Sequence, residues 1–196
     1  MKGEAALSIN RTIEVINHEL LSTKSELSAW FNKDISSLKY APIRGWSIEQ
    51  ILEHITITNH FLFILIRKAK IKALHAALKE DLLSELSRYE YNLDQLDDIA
   101  VHGSFSWIRP DHMEPTGNVT HDEIRRKLEE QFDECSRILN EIRQGEGILY
   151  KTMMSVNNLG KMDVYQYIYF LCQHAKRHIQ QMLKVEAEFM SLKETE

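Results

Sequence analysis

Histidines 174 and 178 stand four residues apart in the stretch Phe170-Leu-Cys-Gln-His-Ala-Lys-Arg-His-Ile-Gln-Gln-Met182. If that stretch is helical, both imidazoles project from one face and could grip a single cation. A pair binds an ion weakly, so the chemistry depends on a third ligand. Two buried neutral imidazoles also cost desolvation unless both are satisfied, and core histidines with ordinary hydrogen bonds remain the competing reading of the spacing. A zinc-protease helix would carry Glu directly after the first histidine; Ala175 stands there instead, which excludes that mechanism.

The elements that must position these residues read as helices. Ile9, Ile13, Ile16, Leu20, Leu27, Trp30 or Phe31, Ile35 and Leu38 recur in steps dominated by three and four, which predicts an amphipathic helix over 7–38. Pro42 and Gly45 break it, and Ser47 with Gln50 forms a capping box that starts a second helix at Ile48. Ile51, Ile55 and Thr58 flank His54, which puts that histidine on or beside the inward face. His60 is six positions on, about 120° around the helix, and cannot share an ion with it. The second helix extends past residue 67 towards Leu74 and Leu78, and 81–100 alternates short apolar clusters with acids.

Residues 101–119 hold two glycines, two prolines and several apolar side chains, including Phe105, Trp107, Ile108 and Met113. That content predicts a long ordered loop acting as a lid. Thr120 and Glu123 form another capping box and open a third helix through Ile124, Leu128, Phe132, Cys135, Leu139 and Ile142, ended by Gly145 and Gly147. His121 at its start is expected to face water, as is His18 on the first helix. A connection over 148–162 leads to Asp163 and Gln166, which start the last helix. Its stripe of Val164, Tyr167, Ile168, Leu171, Ala175, Ile179, Met182, Val185 and Phe189 carries His174 and His178 inward or to the core edge. Nothing in the pattern suggests a sheet. The expectation is an all-α four-helix bundle with short helical inserts, 1–196 forming a single domain.

Composition narrows the partners. The 196 residues are 43% hydrophobic and 27% charged, with a net charge of −5, which disfavours a nucleic-acid backbone as ligand. The basic cluster Arg67-Lys68-Ala-Lys70-Ile-Lys72 reads as a solvated helix face. The longest apolar run, Phe61–Ile66, falls far short of the ~20 residues that span a bilayer. No secretion leader is visible. Cys135 and Cys172 lack metal or redox spacing and read as small buried hydrophobes, and a cytoplasmic location is expected.

Several motifs together resemble the DinB/YfiT-like superfamily. Gly45-Trp46-Ser47 enters a helix with His54 seven residues after Ser47. Leu159-Gly-Lys leads through Asp163 into the helix bearing Gln173-His-Ala-Lys-Arg-His-Ile-Gln-Gln181, and Pro115-Thr-Gly117 precedes the third long helix. The likeness covers about residues 8–188, with 67–105 matching poorly. It implies a DinB-type bundle in which one histidine of the second helix and two of the last bind a divalent metal, here His54, His174 and His178. Imidazole ligation suits zinc or nickel. Three histidines leave positions open, as in catalytic sites.

By the same resemblance the chain is expected to act on a small-molecule substrate. Relatives include bacillithiol- and mycothiol-type thiol transferases, in which a low-molecular-weight thiol is the reactant, and metal hydrolases. The alternative is a non-catalytic, stress-related metal-binding bundle, in either case with room for a homodimer through an exposed helical face; a bundle of satisfied core histidines is the third reading. Tyr167, Arg177, Trp107 and His112 are the candidates to line the pocket, and no catalytic residue is assigned. Ligand histidines normally donate their second N–H to an oxygen. Glu53 and Gln181 are close in sequence, and neither is assigned to that role.

Overall fold

The computed structural model describes residues 2–104, 110–154 and 159–194, with side chains described from residue 8 onwards. It is all-α apart from one short hairpin. Four long helices dominate: α1 (Lys2–Trp30), α3 (Ile48–Ala77), α5 (His121–Glu141) and α6 (Val164–Lys193). Helix α1 packs on α5 and α6, and α3 packs on the same two partners. The four therefore form a ring in which α1 stands opposite α3, and α5 opposite α6. Short elements fill the connections. These are α2 (Ile35–Lys39), α4 (Leu82–Arg88), and 3-10 turns at Asp94–Ala100, Asp111–Met113 and Glu146–Leu149.

The core follows from the apolar periodicity. Ile16, Leu20 and Leu27 of α1, Ile51, Leu52, Ile55 and Ile66 of α3, Phe132 and Leu139 of α5, and Ile168, Leu171 and Met182 of α6 belong to one buried cluster. Across the bundle surface, Arg67 donates two hydrogen bonds of 2.6 Å to the Glu134 carboxylate, a planar fork that ties α3 to α5. Among the described residues, no helix is long and apolar enough to cross a membrane.

Two departures from the periodic reading are instructive. The helix expected over 7–38 ends at Trp30 and restarts at Ile35, with Asp34 in extended backbone (φ −59°, ψ 132°). Trp30 and Phe31 are adjacent yet both buried, and the break lets each enter the core. The connection 148–162 contains an antiparallel hairpin, β1 (Thr152–Met154) paired with β2 (Gly160–Met162), Met153 opposite Lys161. Met154 and Met162 face inward while Met153 and Lys161 face water, so three-residue strands carry a period of two too short to read in sequence. The Tyr167 hydroxyl donates to the Met153 carbonyl at 3.1 Å and pins the hairpin to α6.

Two capping boxes set the starts of the helices that carry the histidines. At α3, Gln50 N–H donates to the Ser47 hydroxyl at 3.2 Å and Ser47 N–H to the Gln50 side chain at 3.0 Å. At α6, Asp163 and Gln166 reciprocate at 3.0 and 3.1 Å. Asp163 is fully buried, and burial raises its pKa. The Tyr89 hydroxyl donates to its second oxygen. Ser47→Ala is expected to cost about 1 kcal/mol of unfolding free energy, the usual worth of an N-cap. Asp163→Ala is expected to cost more, about 2–3 kcal/mol, because it also strands the half-buried Tyr89 hydroxyl. Urea unfolding of the two variants checks this; equal losses would mean that the Tyr89 bond contributes nothing.

Candidate metal centre

Helices α3 and α6 face each other in the bundle, and their inward faces bring His54, His174 and His178 together. All three are buried. Each offers one ring nitrogen, and these atoms lie within 4.8 Å of one another. The ring centroids are 5.5 Å apart for His54 and His174, 4.7 Å for His54 and His178, and 4.5 Å for His174 and His178. Trp46, just before the α3 cap, packs its ring 4.9 Å from that of His54. Phe170, one turn before His174, stacks on its ring at 6.3 Å.

Hydrogen bonds fix the tautomers of two of the three rings. His54 Nδ1 lies 2.7 Å from the carbonyl oxygen of Met113. A carbonyl only accepts, so Nδ1 carries the proton, and in the neutral ring Nε2 presents a lone pair. His178 Nδ1 lies 2.9 Å from the Gln181 side-chain oxygen, which places its proton in the same way. Both second-nitrogen contacts are of the kind that orients a metal-ligating histidine. Thr58, one turn after His54, brings its hydroxyl to 3.4 Å from His54 Nε2.

The Nε2 atoms of His174 and His178 are 3.2 Å apart. With a lone pair on His178 Nε2, that approach is stable in two ways. Either His174 donates a proton across it, or both lone pairs face one cation. Ligands of a tetrahedral ion with metal–nitrogen bonds of about 2.0–2.1 Å stand about 3.3–3.4 Å apart, close to this spacing. The donor set, and the spacing of its α6 pair, therefore fit a divalent metal that accepts imidazole.

The electrostatics act in the same direction. Burial lowers the pKa of His174 well below the ordinary histidine range, with His178 and His54 adding to the effect. Burial, then His54, lowers that of His178 to about 3. Both rings are thus neutral at physiological pH, the state in which imidazole is a ligand.

The other positions singled out in sequence lie as follows. Tyr167 is buried, but its hydroxyl serves the hairpin, two helical turns from His174. Arg177 is half-buried and donates to the Val101 carbonyl at 2.7 Å, which joins α6 to the segment after the 94–100 turn. His112 is exposed and sets its ring 4.5 Å from that of Phe61. Trp107, with Phe105 and Ile108, lies outside the described residues. His18 is exposed, as expected, and His60 is exposed too. His121, expected in water, is instead half-buried, with Nε2 3.3 Å from the Phe31 carbonyl and its ring edge-on to Phe31. The break after Trp30 turns Phe31 and its carbonyl towards the start of α5, which explains the difference. Cys135 and Cys172 are buried free thiols, and burial raises the pKa of both.

Two contributors escaped the sequence reading. The Met113 carbonyl is a backbone group and leaves no mark in residue type. Glu53, left unassigned by the sequence, accepts from the Thr116 and Gly117 N–H groups and the Thr116 hydroxyl. The Pro115-Thr-Gly117 step beside it was the only available signal.

With fold and site in place, the comparison with known families is unambiguous. The model of the DinB superfamily matches residues 16–182, and the chain belongs to that family. No curated protein and no solved structure matches it.

The buried histidines of α6, neutral at physiological pH, make the metal-free protein sensitive to acid. Unfolded histidines take up protons below about pH 6.5, whereas His178 resists protonation down to about 3. Between those values the unfolded chain holds more protons, so stability falls as pH falls. The expected slope is about 1.4 kcal/mol per pH unit for each such histidine. Denaturant unfolding of the metal-stripped protein at pH 7 and pH 5 measures it. Equal stability at the two values would contradict the burial of neutral imidazoles.

Proposed function

We propose that the chain is a metal-dependent enzyme that holds one divalent cation, zinc or nickel, through His54, His174 and His178. It would catalyse transfer of a low-molecular-weight thiol to an electrophilic small molecule. The observation that carries the reading is the convergence of three buried imidazole nitrogens, two of the rings with an Nδ1 proton committed to an oxygen behind them. A cation held there would bring the pKa of a bound water or thiol down towards neutrality and so supply a nucleophile.

The surrounding residues have definable work. The Met113 carbonyl and the Gln181 side chain keep His54 and His178 in the ligand tautomer and aim. The Thr58 hydroxyl, near His54 Nε2, can hydrogen-bond to an anionic reactant at the same place. Trp46 and Phe170 form apolar walls that exclude water and strengthen charge interactions inside. The 110–119 segment crosses the start of α3 and helps to close the site.

One feature favours thiol transfer over hydrolysis. Hydrolysis commonly recruits a carboxylate to take a proton from water. Glu53, the carboxylate adjacent to His54 in sequence, is instead engaged by three donors of the loop. A thiol loses its proton readily near neutrality and has less need of such a base.

Purified protein is expected to carry close to one equivalent of divalent metal by elemental analysis, and His54→Ala and His174→Ala to lose it. Metal content unchanged in both variants would refute the site. In a panel of low-molecular-weight thiols paired with electrophiles, the metal-loaded protein is expected to turn over at least one pair. The His174→Ala variant should lose at least a hundredfold of that rate. A metal-loaded protein without such turnover would leave the non-catalytic metal-binding reading in place of the transferase.

A further inference from the structure

Glu53 precedes a proposed metal ligand, is almost completely buried, and touches neither His174 nor His178 by any hydrogen bond among the described residues. A buried carboxylate needs donors, and Glu53 has three from one short segment. Thr116 N–H donates to Oε1 at 3.0 Å and the Thr116 hydroxyl to the same oxygen at 2.8 Å. Gly117 N–H donates to Oε2 at 2.8 Å. Hydrogen bonds to a carboxylate are among the stronger ones, so three from one segment hold it firmly against α3.

The local chain is shaped for this grip. Gly117 has φ +70°, which lets two consecutive N–H groups turn towards one carboxylate. A Cβ there would also stand 3.4 Å from the Gln50 side chain, so the loop lies flat against the first turns of α3. Three residues before Thr116, the Met113 carbonyl accepts the His54 Nδ1 proton. Neighbouring residues of α3 thus hold one loop at two points. Glu53 takes its N–H groups and His54 its carbonyl.

We infer that Glu53 is a positioning residue for His54. By clamping Thr116 and Gly117 it places the Met113 carbonyl that fixes the tautomer and aim of the His54 ring. The clamp makes the 113–117 segment part of the metal centre, although none of its side chains is a ligand. Neutralising or loosening the clamp frees the carbonyl, lets the His54 proton redistribute between Nδ1 and Nε2, and weakens the lone pair offered to the cation. The inference rests on the metal reading for its consequence, but its first step, the control of the His54 tautomer, holds without metal.

Two variants and two readouts test it. Glu53→Gln places an amide where the two N–H groups need acceptors. Thr116→Val removes one donor, leaves both backbone bonds, and serves should Glu53→Gln fail to fold. The first readout is the imidazole nitrogen spectrum of the metal-stripped protein. Wild type is expected to show His54 protonated at Nδ1, and the variants a mixture of tautomers. The second is affinity for zinc in competition with a chromophoric chelator, expected to fall 10–100-fold in Glu53→Gln and by less in Thr116→Val. Leu139→Ala, a core change on α5, is the control, expected to lower stability while leaving tautomer and affinity unmoved. Folded variants with an unaltered His54 tautomer and zinc affinity within twofold of wild type would overturn the inference. Loss of zinc binding by wild type itself would instead sink the metal site, while the nitrogen spectrum would still decide the role of Glu53.

Discussion

Three imidazoles buried side by side are the constraint on which this structure turns. Neutral rings packed this closely must share protons or a cation, since lone pairs 3.2 Å apart repel otherwise. Burial has already removed the option of protonating them, because His174 and His178 are depressed far below the ordinary histidine range. What remains is to aim the nitrogens, and the fold does that with oxygens behind the rings: the Met113 carbonyl for His54 and the Gln181 side chain for His178.

That aiming spreads outwards through ordinary helix chemistry. His174 and His178 are aligned because one α-helical turn separates them. His54 meets them because α3 and α6 pack directly on one another and both start at reciprocal capping boxes. A shift of either helix by one residue would rotate its histidines by about 100° and dissolve the cluster. Asp163 and Ser47 therefore matter to the site without touching it. The Arg67–Glu134 fork and the Tyr167 bond to the hairpin hold α3 and α6 to their other neighbours.

Much of this was legible in residue order. The stripes on α3, α5 and α6, the three cap positions Ser47, Thr120 and Asp163, and the inward aspect of His54 all follow from spacing, and each agrees with the structure. The misreadings share a cause. The break after Trp30, the hairpin around Met153 and the half-burial of His121 depend on which distant segment a residue meets. Three-residue strands and a single helix interruption leave periodicities too short to detect. Glu53, which the sequence left unassigned, shows the same dependence: its partners are two N–H groups and a hydroxyl 63 and 64 residues away.

By itself, the sequence determined the helices, their inward faces and the family whose pattern they match over residues 16–182. Those properties are local, set by steps of three and four and by side chains that cap their own helix. Only the tertiary structure decided that the three ring nitrogens converge and which oxygens hold them. It also decided that a loop, largely through its backbone, packs against the His54 end of the cluster. Backbone carbonyls and N–H groups are the same at every residue, so no choice of amino acid announces where they will be spent.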